Sequence, residues 1–392
     1  MGALTGLRVL DLSRVLAGPW ASQILADLGA DVLKVEHPER GDDTRGWGPP
    51  FLKDADGADT SESAYFLCTN RGKRSVRIDM QTEEGRSKLR ELALQADILI
   101  ENFKTGGAAR YGLDYESLKE DNPRLIYCSI TGFGQTGPLA EKPGYDFLVQ
   151  AMGGLMSVTG VPDGQPGAGP QKVGVALTDI MTGLYATIGI LAAHAERHQS
   201  GLGQHVDLAL LDVTAATLAN QASNFLVGGT TPTRLGNAHP NIVPYRSFRA
   251  RDREFIVAVG NDQQFKSMLD VLGDEQLKKD ETLITNAGRV ANRQRLEPKL
   301  EALLIEEDAA HWLARFKEAG VPCGPINTVA ELFDEPQIAA RNMTVTLPHE
   351  SGSTVTMVGN PIRLSRTPVD YERPPPTLGQ HDEDLENDPW NP

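Results

Sequence analysis

Apolar and amphipathic stretches alternate along the N-terminal half of the chain, each about the length of one strand or one helix. They follow one another in the order 7–12 (strand), 20–29 (helix), 30–36 (strand), 83–95 (helix), 97–103 (strand) and 124–134 (strand). This alternation predicts parallel strands joined by crossover helices, and therefore a Rossmann-like, doubly wound α/β domain. Ligands of such domains bind at the carboxyl ends of the strands, so we expect a site where the loops after Leu12, Glu36, Phe103 and Ile130 gather.

The pattern changes in the second half of the chain. Residues 180–193 are the most apolar run, which predicts a buried helix because the run is too short and too often interrupted to span a bilayer. A long helix is expected from about 200 to 225, leading out of the first domain. Residues 245–325 begin with a hairpin pattern and continue with helical segments, which predicts a second, smaller α+β domain. The tail is expected to return to the first domain or to a partner chain, so the predicted boundaries are 1–225, 226–328 and 329–392.

The length of the chain, 392 residues, exceeds the size at which a single core usually stops growing and supports two domains. The formal net charge of −15 argues against nucleic acid or an anionic membrane as a partner. The three cysteines, Cys68, Cys128 and Cys323, lie far apart and predict neither a disulfide framework nor a zinc site. The chain starts directly with a predicted strand rather than a secretion signal, so we expect a cytoplasmic protein.

Two local patterns imitate cofactor sites. The first strand–turn–helix–strand unit ends in an acid, Glu36, as a dinucleotide site does, but its turn SRVLAGP has one glycine and lacks the phosphate-binding fingerprint. His194 and His198 have the spacing of two metal ligands on a helix, but their motif is HAERH and a helix stop follows, which is typical of a solvated last turn. We therefore expect neither a nicotinamide cofactor nor a metal.

The run RGKRSVR, residues 71–77, is strongly basic. A solvated face is the plain interpretation of such a run. In a chain this acidic, however, a basic cluster near strand ends is what a phosphate-rich ligand needs, and Arg45, Lys104 and Arg110 lie in neighbouring loops of the same predicted domain. Both interpretations stay open at this point.

A single carboxylate, Asp179, lies where a Gly/Pro-rich segment gives way to the apolar helix. Helix capping is the plain interpretation, because Thr178 or Asp179 can accept hydrogen bonds from the free N–H groups of the first turn. An anion is also favoured at that end of the helix dipole. The alternative is that Asp179 carries chemistry, and the local sequence alone does not separate the two.

Separate stretches along almost the whole chain resemble one family, the class III CoA-transferases, also called the CaiB/BaiF family. They include RVLAGPWASQILADLGADVLKVEHPERGDDTR, NRGKRSVRIDM, ENFKTGGAARYGLDYESL, IYCSITGFGQTGP, VGVALTDIMTGLYATIGILAA and GNAHPNIVPYRSF. The C-terminal segments NAHPNIVPY, GNDQQF and RPPPTLGQH look most like the branch that moves CoA between dicarboxylates such as succinate and glutarate. The resemblance implies an interlocked homodimer that acts on an acyl-CoA and a carboxylic acid, with no metal and no tightly bound cofactor.

The resemblance makes Asp179 the nucleophile. Its carboxylate is expected to attack the thioester carbonyl, and the reaction then passes through an aspartyl anhydride and an aspartyl-CoA thioester. A helix N-terminus is a suitable mount because it favours the ionised carboxylate. The segment GNDQQF, residues 260–265, matches the family's mobile glycine loop, so Gly260 and Asn261 are expected to stabilise the oxyanions that form.

The resemblance also assigns the substrate contacts. Val15, Leu16 and Ala17 match the segment that lines the pantetheine arm and the active site. Oxalate-specific relatives carry a glutamine in place of Leu16, and its absence argues against a formyl-CoA:oxalate enzyme. Arg45 and His239 are our choices for binding the free carboxylate of the acyl group. The remaining expected contacts, around the CoA and the acyl group, are His37 (arginine in many relatives), Arg74, Ile78, Asn102, Phe103, Arg110, Tyr145 and Asp146.

Two other functions stay open. The racemase branch of the same family uses a histidine in a GHD motif as a base, and this chain has Gly144-Tyr145-Asp146 instead. A tyrosine with its ordinary pKa of about 10 is a poor base near neutral pH, which favours the transferase. Asp146 then orients the substrate, contacts the nucleophile segment or only forms a turn. The second alternative is a CoA-binding protein without turnover.

Overall fold

The computed structural model describes residues 2–386 and 389–390. Its strands, in chain order, are β1 (Arg8–Asp11), β2 (Asp31–Glu36), β3 (Phe51–Lys53), β4 (Asp59–Ser63), β5 (Lys73–Arg77), β6 (Ile98–Glu101), β7 (Ile126–Thr131), β8 (Gly160–Val161), β9 (Gly169–Pro170), β10 (His205–Ala209), β11 (Tyr245–Arg249), β12 (Glu254–Ala258), β13 (Cys323–Pro325), β14 (Thr344–Pro348) and β15 (Thr354–Val358). Its helices are α1 (Ala17–Asp27), α2 (Ala64–Leu67), α3 (Glu83–Gln95), α4 (Tyr115–Leu118), α5 (Asp146–Met152), α6 (Leu155–Val158), α7 (Leu177–Ser200), α8 (Leu210–Thr217), α9 (Ala219–Gly228), α10 (Asp262–Leu272), α11 (Glu275–Lys278), α12 (Asn286–Ala291), α13 (Arg293–Leu304), α14 (Ala309–Glu318), α15 (Val329–Asp334) and α16 (Pro336–Ala340).

A six-stranded sheet in the order β10-β7-β6-β1-β2-β5 forms the centre of the N-terminal part of the chain. Every neighbouring pair in it is parallel. The chain starts at β1 in the middle, builds outward through β2 and β5, and then returns to the other side of β1 through β6, β7 and β10. The predicted parallel α/β sheet is confirmed, and the strand order reverses between β1 and β6, which is where such sheets bind ligands.

Apolar layers cover both faces of the sheet because successive side chains of a strand point to opposite faces. Val9 and Leu10 are neighbours on β1, and both are fully buried, but they belong to two different core clusters. Val9 shares its cluster with Leu25 of α1 and Ile190 of α7, and Leu10 shares the other with Leu89 of α3. Burying each such side chain contributes roughly 1.5–3 kcal/mol, so these layers hold the strand ends in register.

The helix predicted over residues 83–95 is confirmed as α3. Thr82 caps it by accepting the backbone N–H of Gly85 at 3.0 Å. The helix predicted over 20–29 begins earlier, at Ala17, and ends at Asp27.

The helix predicted from about 200 to 225 is wrong in its first half. His205–Ala209 form β10, the edge strand that pairs with β7. Val206 and Leu208 pack against the core at a spacing of two, which a run of five residues is too short to reveal in the sequence. The predicted buried helix is part of the longer α7, one side of which is exposed, with Ile188 61% accessible.

The chain divides into two compact units. The first contains the described residues up to Met156, Lys172–Thr231 and the described residues from Gln337 onward, and the second contains Ser157–Gln171 and Pro232–Pro336. The second unit has the antiparallel sheet β11-β12-β13, which includes the predicted hairpin, and an aromatic core. The predicted boundaries did not include the 157–171 segment in it.

The C-terminal segment lies along β5 in the first unit. The His381 N–H donates to the Ser75 carbonyl at 2.9 Å, and the Arg77 N–H donates to the Asp382 carboxylate at 2.8 Å. Trp390 is buried in the same core as Leu10. Because an open edge strand invites pairing with other chains, this cover stabilises the sheet as a closed unit. No helix within the described residues has both the length and the apolar composition needed to cross a membrane.

Candidate active site

A cavity of about 240 Å³ lies at the carboxyl ends of β1, β2 and β5. Three residues that the family resemblance assigns to CoA line it: His37, Ile78 and Phe103. The loops that follow β1, β2 and β6 meet here, as the doubly wound topology requires. The loop after Ile130, which was expected to join them, does not contribute to the lining.

Two arginines that the sequence did not single out also line this cavity. Arg14 pairs with Asp43 at 2.7 Å, and Arg40 is exposed. Arg110 is exposed on a short turn, Ala108–Tyr111, whose last residue lines the cavity. Exposed guanidinium groups suit phosphate, so this end of the sheet carries the positive charge that a nucleotide needs.

The loop from β1 to α1 is strained. Val15 has φ +73°, a left-handed conformation that costs a β-branched residue about 1–3 kcal/mol. The Asn102 side chain bonds to both the N–H and the carbonyl of Arg14, at 3.0 and 2.7 Å, so it holds this loop. Leu16 and Ala17 are 6% and 4% exposed, which leaves little of either side chain for contact with a substrate.

Arg45 does not have the free guanidinium that an anchor for a substrate carboxylate requires. It is buried, and it bonds to both oxygens of Glu36 at 2.7 Å and to Glu62 at 2.5 Å. Its charge is therefore already neutralised, and a further carboxylate there would lack a partner. Arg45 ties the loop after β2 to β4, and the geometry opposes its predicted role.

The basic run at residues 71–77 is neither a solvated face nor a phosphate cluster. Arg71 pairs with Asp27 at 2.6 Å and Lys73 with Asp11 at 3.2 Å, and all four side chains are buried. Arg74 is fully buried and bonds to Asp31, the first residue of β2, so it lies at the amino end of the sheet rather than at the cavity. This geometry opposes the predicted contact between Arg74 and CoA.

Asp179 is the third residue of α7, and its helix is capped by a side chain from elsewhere. The N-cap residue, Ala176, has no side chain that can accept hydrogen bonds. Asp146, the first residue of α5, accepts the backbone N–H of Thr178 at 2.9 Å and that of Asp179 at 3.4 Å. Its other oxygen accepts Gln150 at 2.8 Å. The expectation that Thr178 or Asp179 caps the helix is wrong, and Asp146 has that role.

The surroundings of the Asp179 carboxyl favour its neutral form, whereas the sequence predicted an ionised carboxylate. Burial, and then the negative charge of Asp146, raise its pKa to about 7. No group among the described residues donates a hydrogen bond to this carboxyl. The helix N-terminus favours the anion, but burial and the charge of Asp146 outweigh that effect. The carboxyl is therefore only partly ionised at neutral pH.

Tyr65 interacts electrostatically with Asp179, and no motif in the sequence pointed to it. Burial and the charge of Asp179 raise the pKa of its phenol to about 12. Its ring packs edge-on against Trp47, with ring centroids 5.1 Å apart. Tyr65 therefore stays protonated at neutral pH.

The motif Gly144-Tyr145-Asp146 positions the Asp146 side chain. Gly144 packs against the backbone of Gly132 so closely that a Cβ on it would lie 2.2 Å from the Gly132 Cα, so only glycine fits. Tyr145 precedes α5 and is 68% exposed. Because Gly144 fixes the start of α5, the Asp146 carboxylate is directed at the first turn of α7.

The segment at Gly260 and Asn261, in the second unit, is an ordered helix start. The Asn261 side chain caps α10 by accepting the Gln264 N–H at 2.9 Å, and the Gly260 N–H donates to the Gln264 side chain at 2.8 Å. In this conformation the Gly260 N–H is therefore already used and does not form an oxyanion hole. That role requires the bond to Gln264 to open.

His239, also in the second unit, is placed by its own neighbours. Its Nδ1 accepts the Asn241 N–H at 3.1 Å, and its ring packs on Tyr245 with centroids 5.4 Å apart. Burial, and then the charge of Arg293, lower its pKa. A neutral imidazole with one nitrogen engaged is a weak anchor for a carboxylate, so the geometry opposes this predicted role too. No group of three potential metal ligands occurs among the described residues.

Comparison with known proteins identifies the family. The family model for CoA-transferase family III matches residues 4–382. A succinate–glutarate CoA-transferase from Agrobacterium fabrum is 52% identical over 96% of this chain and 93% of its own length. An acetyl-CoA:oxalate CoA-transferase from Acetobacter aceti is 43% identical over 95% of this chain and 92% of its own.

A solved structure agrees with the sequence match. A CaiB/BaiF family protein from Brucella suis is 50% identical, covers 98% of both chains and superposes with a TM-score of 0.85. The match spans both units and includes the segments that carry the cavity, Asp146 and Asp179. This chain belongs to CoA-transferase family III.

Proposed function

We propose that this CoA-transferase moves CoA from a dicarboxyl-CoA, such as succinyl-CoA, to a dicarboxylate, such as glutarate, through covalent intermediates on Asp179. The observation that carries the proposal is the Asp179 carboxyl itself. It is half-buried, has no hydrogen-bond donor among the described residues and is mounted on a helix start that Asp146 holds. A carboxylate that is not bonded to the protein keeps its lone pairs for attack on a carbonyl carbon.

The reaction has four steps, and in each of them an anionic nucleophile displaces an anionic leaving group from a carbonyl carbon. The Asp179 carboxylate attacks the thioester carbonyl and expels the CoA thiolate, leaving a mixed anhydride. The thiolate attacks the aspartyl carbonyl and releases the donor acid. The acceptor carboxylate then attacks the aspartyl-CoA thioester and again expels the thiolate. The thiolate finally attacks the acyl carbonyl of the new anhydride, which forms the product thioester and frees Asp179.

The local charges fit this order of reaction steps. A carboxyl with a pKa of about 7 is substantially ionised at physiological pH, yet it is more basic than an ordinary aspartate. Each tetrahedral intermediate carries an oxyanion, which needs a donor. Tyr65 stays protonated, so its O–H is our candidate for that donor.

The acids themselves are inferred from relatives. The Agrobacterium relative is a succinate–glutarate CoA-transferase, which supports the pair succinate and glutarate. The Acetobacter relative acts on oxalate, so oxalate belongs in the test although Leu16 argues against it. A CoA-transfer assay with succinyl-CoA and acetyl-CoA against glutarate, succinate, malate, itaconate, mesaconate and oxalate decides between them. Preference for oxalate would overturn the assignment to dicarboxylates of succinate and glutarate length.

The covalent route has a direct test. Incubating the protein with succinyl-CoA and digesting it should give a peptide with an adduct on Asp179 by mass spectrometry, and Asp179→Ala should abolish both the adduct and the transfer. Full transfer by Asp179→Ala would contradict the mechanism. Absence of both adduct and transfer in the native protein would support a CoA-binding protein without turnover. Deuterium uptake at the α-carbon of a 2-methylacyl-CoA without any acceptor acid would support the racemase.

We also propose that the protein is a homodimer. Large apolar side chains are exposed on three helices of the first unit, among them Phe147 of α5, Ile188 of α7, and Leu226 and Val227 of α9, the last two 79% and 89% accessible. Exposed apolar clusters of this kind mark interaction surfaces. Light scattering coupled to gel filtration should give twice the chain mass, and the double change Leu226→Asp, Val227→Asp should shift it toward one chain.

A further inference from the structure

Side chains from other elements hold the backbone of the loop between β1 and α1. The Ser13 N–H donates to Asp11 at 2.9 Å, and the Ser13 carbonyl accepts Lys34 Nζ at 2.9 Å. Asn102 bonds to both backbone groups of Arg14, as described above. The Val15 N–H donates to both oxygens of Asp42, at 3.2 and 3.3 Å. Apart from the bond between Ser13 and the adjacent Asp11, the conformation of the loop is therefore set by residues from other parts of the sequence.

Val15 most needs this support. A valine at φ +73° is unfavourable on its own, and a loop left free would relax to an extended conformation. The N–H of Val15 is the group that Asp42 holds. Since Leu16 and Ala17 follow directly and begin α1, rotation at Val15 would move the start of that helix.

Asp42 is itself fixed from several sides. Its carboxylate pairs with Lys34 at 2.9 Å, and both side chains are 1% exposed. It also accepts the N–H and the hydroxyl of Thr44 at 3.0 and 2.8 Å. Burial alone would raise the pKa of Asp42, but Lys34 and Thr44 hold it well below its usual range. The carboxylate is therefore a permanent, immobile acceptor.

We propose that Asp42 is a positioning residue, which locks Val15 in its left-handed conformation and thereby fixes the segment Val15–Ala17 for the pantetheine arm of CoA. The inference rests on the proposed function, because the resemblance alone assigns that segment to CoA. Asp42 also lines the cavity, but its side chain is 1% exposed and its oxygens are engaged by Lys34, Val15 and Thr44, so it acts through the backbone. Its loss should weaken CoA binding more than it slows the chemical steps on Asp179.

The test compares two buried carboxylates of equal kind. Asp42→Asn keeps the shape and one acceptor but loses the charge that Lys34 and Val15 bind. Asp27→Asn is the matched control. Asp27 forms an equally buried ion pair with Arg71, 2.6 Å between the charged atoms, and this pair lies away from the loop. Both changes should lower the melting temperature. Only Asp42→Asn should raise the KM for the acyl-CoA, by about tenfold, with a smaller change in kcat, whereas Asp27→Asn should stay within about twofold of the native KM.

A rescue separates positioning from general damage. Glycine adopts positive φ without strain, so adding Val15→Gly to Asp42→Asn should bring the raised KM most of the way back to the native value. Equal KM values for Asp42→Asn and Asp27→Asn, or no recovery by Val15→Gly, would overturn the proposal. If Asp42→Asn does not fold, Thr44→Val removes one bond to Asp42 and should raise KM about two- to threefold; an unchanged KM there would also overturn it.

A readout without turnover keeps this inference apart from the proposed function. The Kd for free CoA, measured by calorimetry, should rise for Asp42→Asn and stay near the native value for Asp27→Asn. If the native protein transfers no CoA and forms no adduct on Asp179, the proposed function fails while the calorimetric comparison still decides the role of Asp42.

Discussion

The Asp146 carboxylate lies 3.4 Å from the backbone nitrogen of Asp179, and its charge raises the pKa of the Asp179 carboxyl. One side chain thus builds the helix start that carries the nucleophile and also opposes its ionisation. The two effects are separable by substitution, because the hydrogen bond needs only an oxygen acceptor and the repulsion needs a charge.

The pH dependence of the native enzyme should report Asp179. The nucleophile must be ionised, and its pKa is about 7, so log kcat/KM should rise with a slope of one as the pH increases and level off above about pH 7. An initial-rate series with succinyl-CoA between pH 5 and 9 measures this limb. A flat profile down to about pH 5 would mean that Asp179 ionises like an ordinary aspartate.

Asp146→Asn should move that limb to lower pH. Asparagine keeps an oxygen that accepts the Thr178 N–H but removes the charge that raises the Asp179 pKa. The matched variant Asp146→Ala removes the acceptor as well. It should lower the free energy of unfolding by about 0.5–2 kcal/mol, the cost of a lost helix cap, and lower the melting temperature accordingly. A limb that stays in place in Asp146→Asn would show that burial alone sets the pKa.

Asp179→Asn should stabilise the protein at pH 8 while abolishing transfer. In the unfolded chain Asp179 ionises near its ordinary pKa of 3.8, whereas in the folded chain its pKa is about 7. The folded protein therefore binds the extra proton between these values, and its stability falls as the pH rises through that window. Removing the charge should return stability on the order of 2–4 kcal/mol at pH 8 and little at pH 4. Urea denaturation at both pH values measures the difference; equal gains at both would contradict the cause.

The sequence predicted the framework where periodicity is long or repeated. The amphipathic pattern over residues 83–95 is long enough to fix α3, and the apolar runs of β1, β2, β6 and β7 repeat with helices between them. It failed at β10, because five residues with three apolar positions fit a helix as well as a strand. Tertiary pairing with β7 decides that segment, and no local signal contains it.

The site was predictable only in part, for the same physical reason. The family motif identifies Asp179, but its cap comes from Asp146, which lies on another helix and meets it only in the fold. The charges of Arg45 and Arg74 suggested ligand contacts because their partners, such as Glu36 and Asp31, are distant from them in sequence. A buried cation and an exposed one look alike in a sequence, and the fold alone shows which one is already paired.

Arg74→Gln and Arg110→Gln should have opposite effects. Arg74 is buried and bonded to Asp31 and Asp384, so its loss should lower stability by about 3 kcal/mol or more and leave the KM for the acyl-CoA nearly unchanged. Arg110 is exposed on the turn beside the cavity, so its loss should raise that KM and leave the melting temperature within about 1 °C. A raised KM with unchanged stability for Arg74→Gln would restore the original assignment of Arg74 to CoA.

Glu101→Gln should stabilise the protein in a pH-dependent way. Glu101 ends β6 and accepts the Phe103 N–H at 2.7 Å, and burial, opposed by that bond and one from Ser129, raises its pKa to about 7. The folded chain thus keeps a proton on Glu101 at pH values above its ordinary pKa of 4.5, and the folded state loses stability as the pH rises from there to about 7. Glutamine keeps an acceptor for Phe103 without the charge, so the variant should gain roughly 2–3 kcal/mol at pH 8 and little at pH 5 by urea denaturation. Asp207→Asn is the control, because it removes a charge that raises the Glu101 pKa and should give a smaller gain of the same sign. A variant Glu101→Gln no more stable than the native protein at pH 8 would mean that Glu101 is ionised in the fold without a penalty.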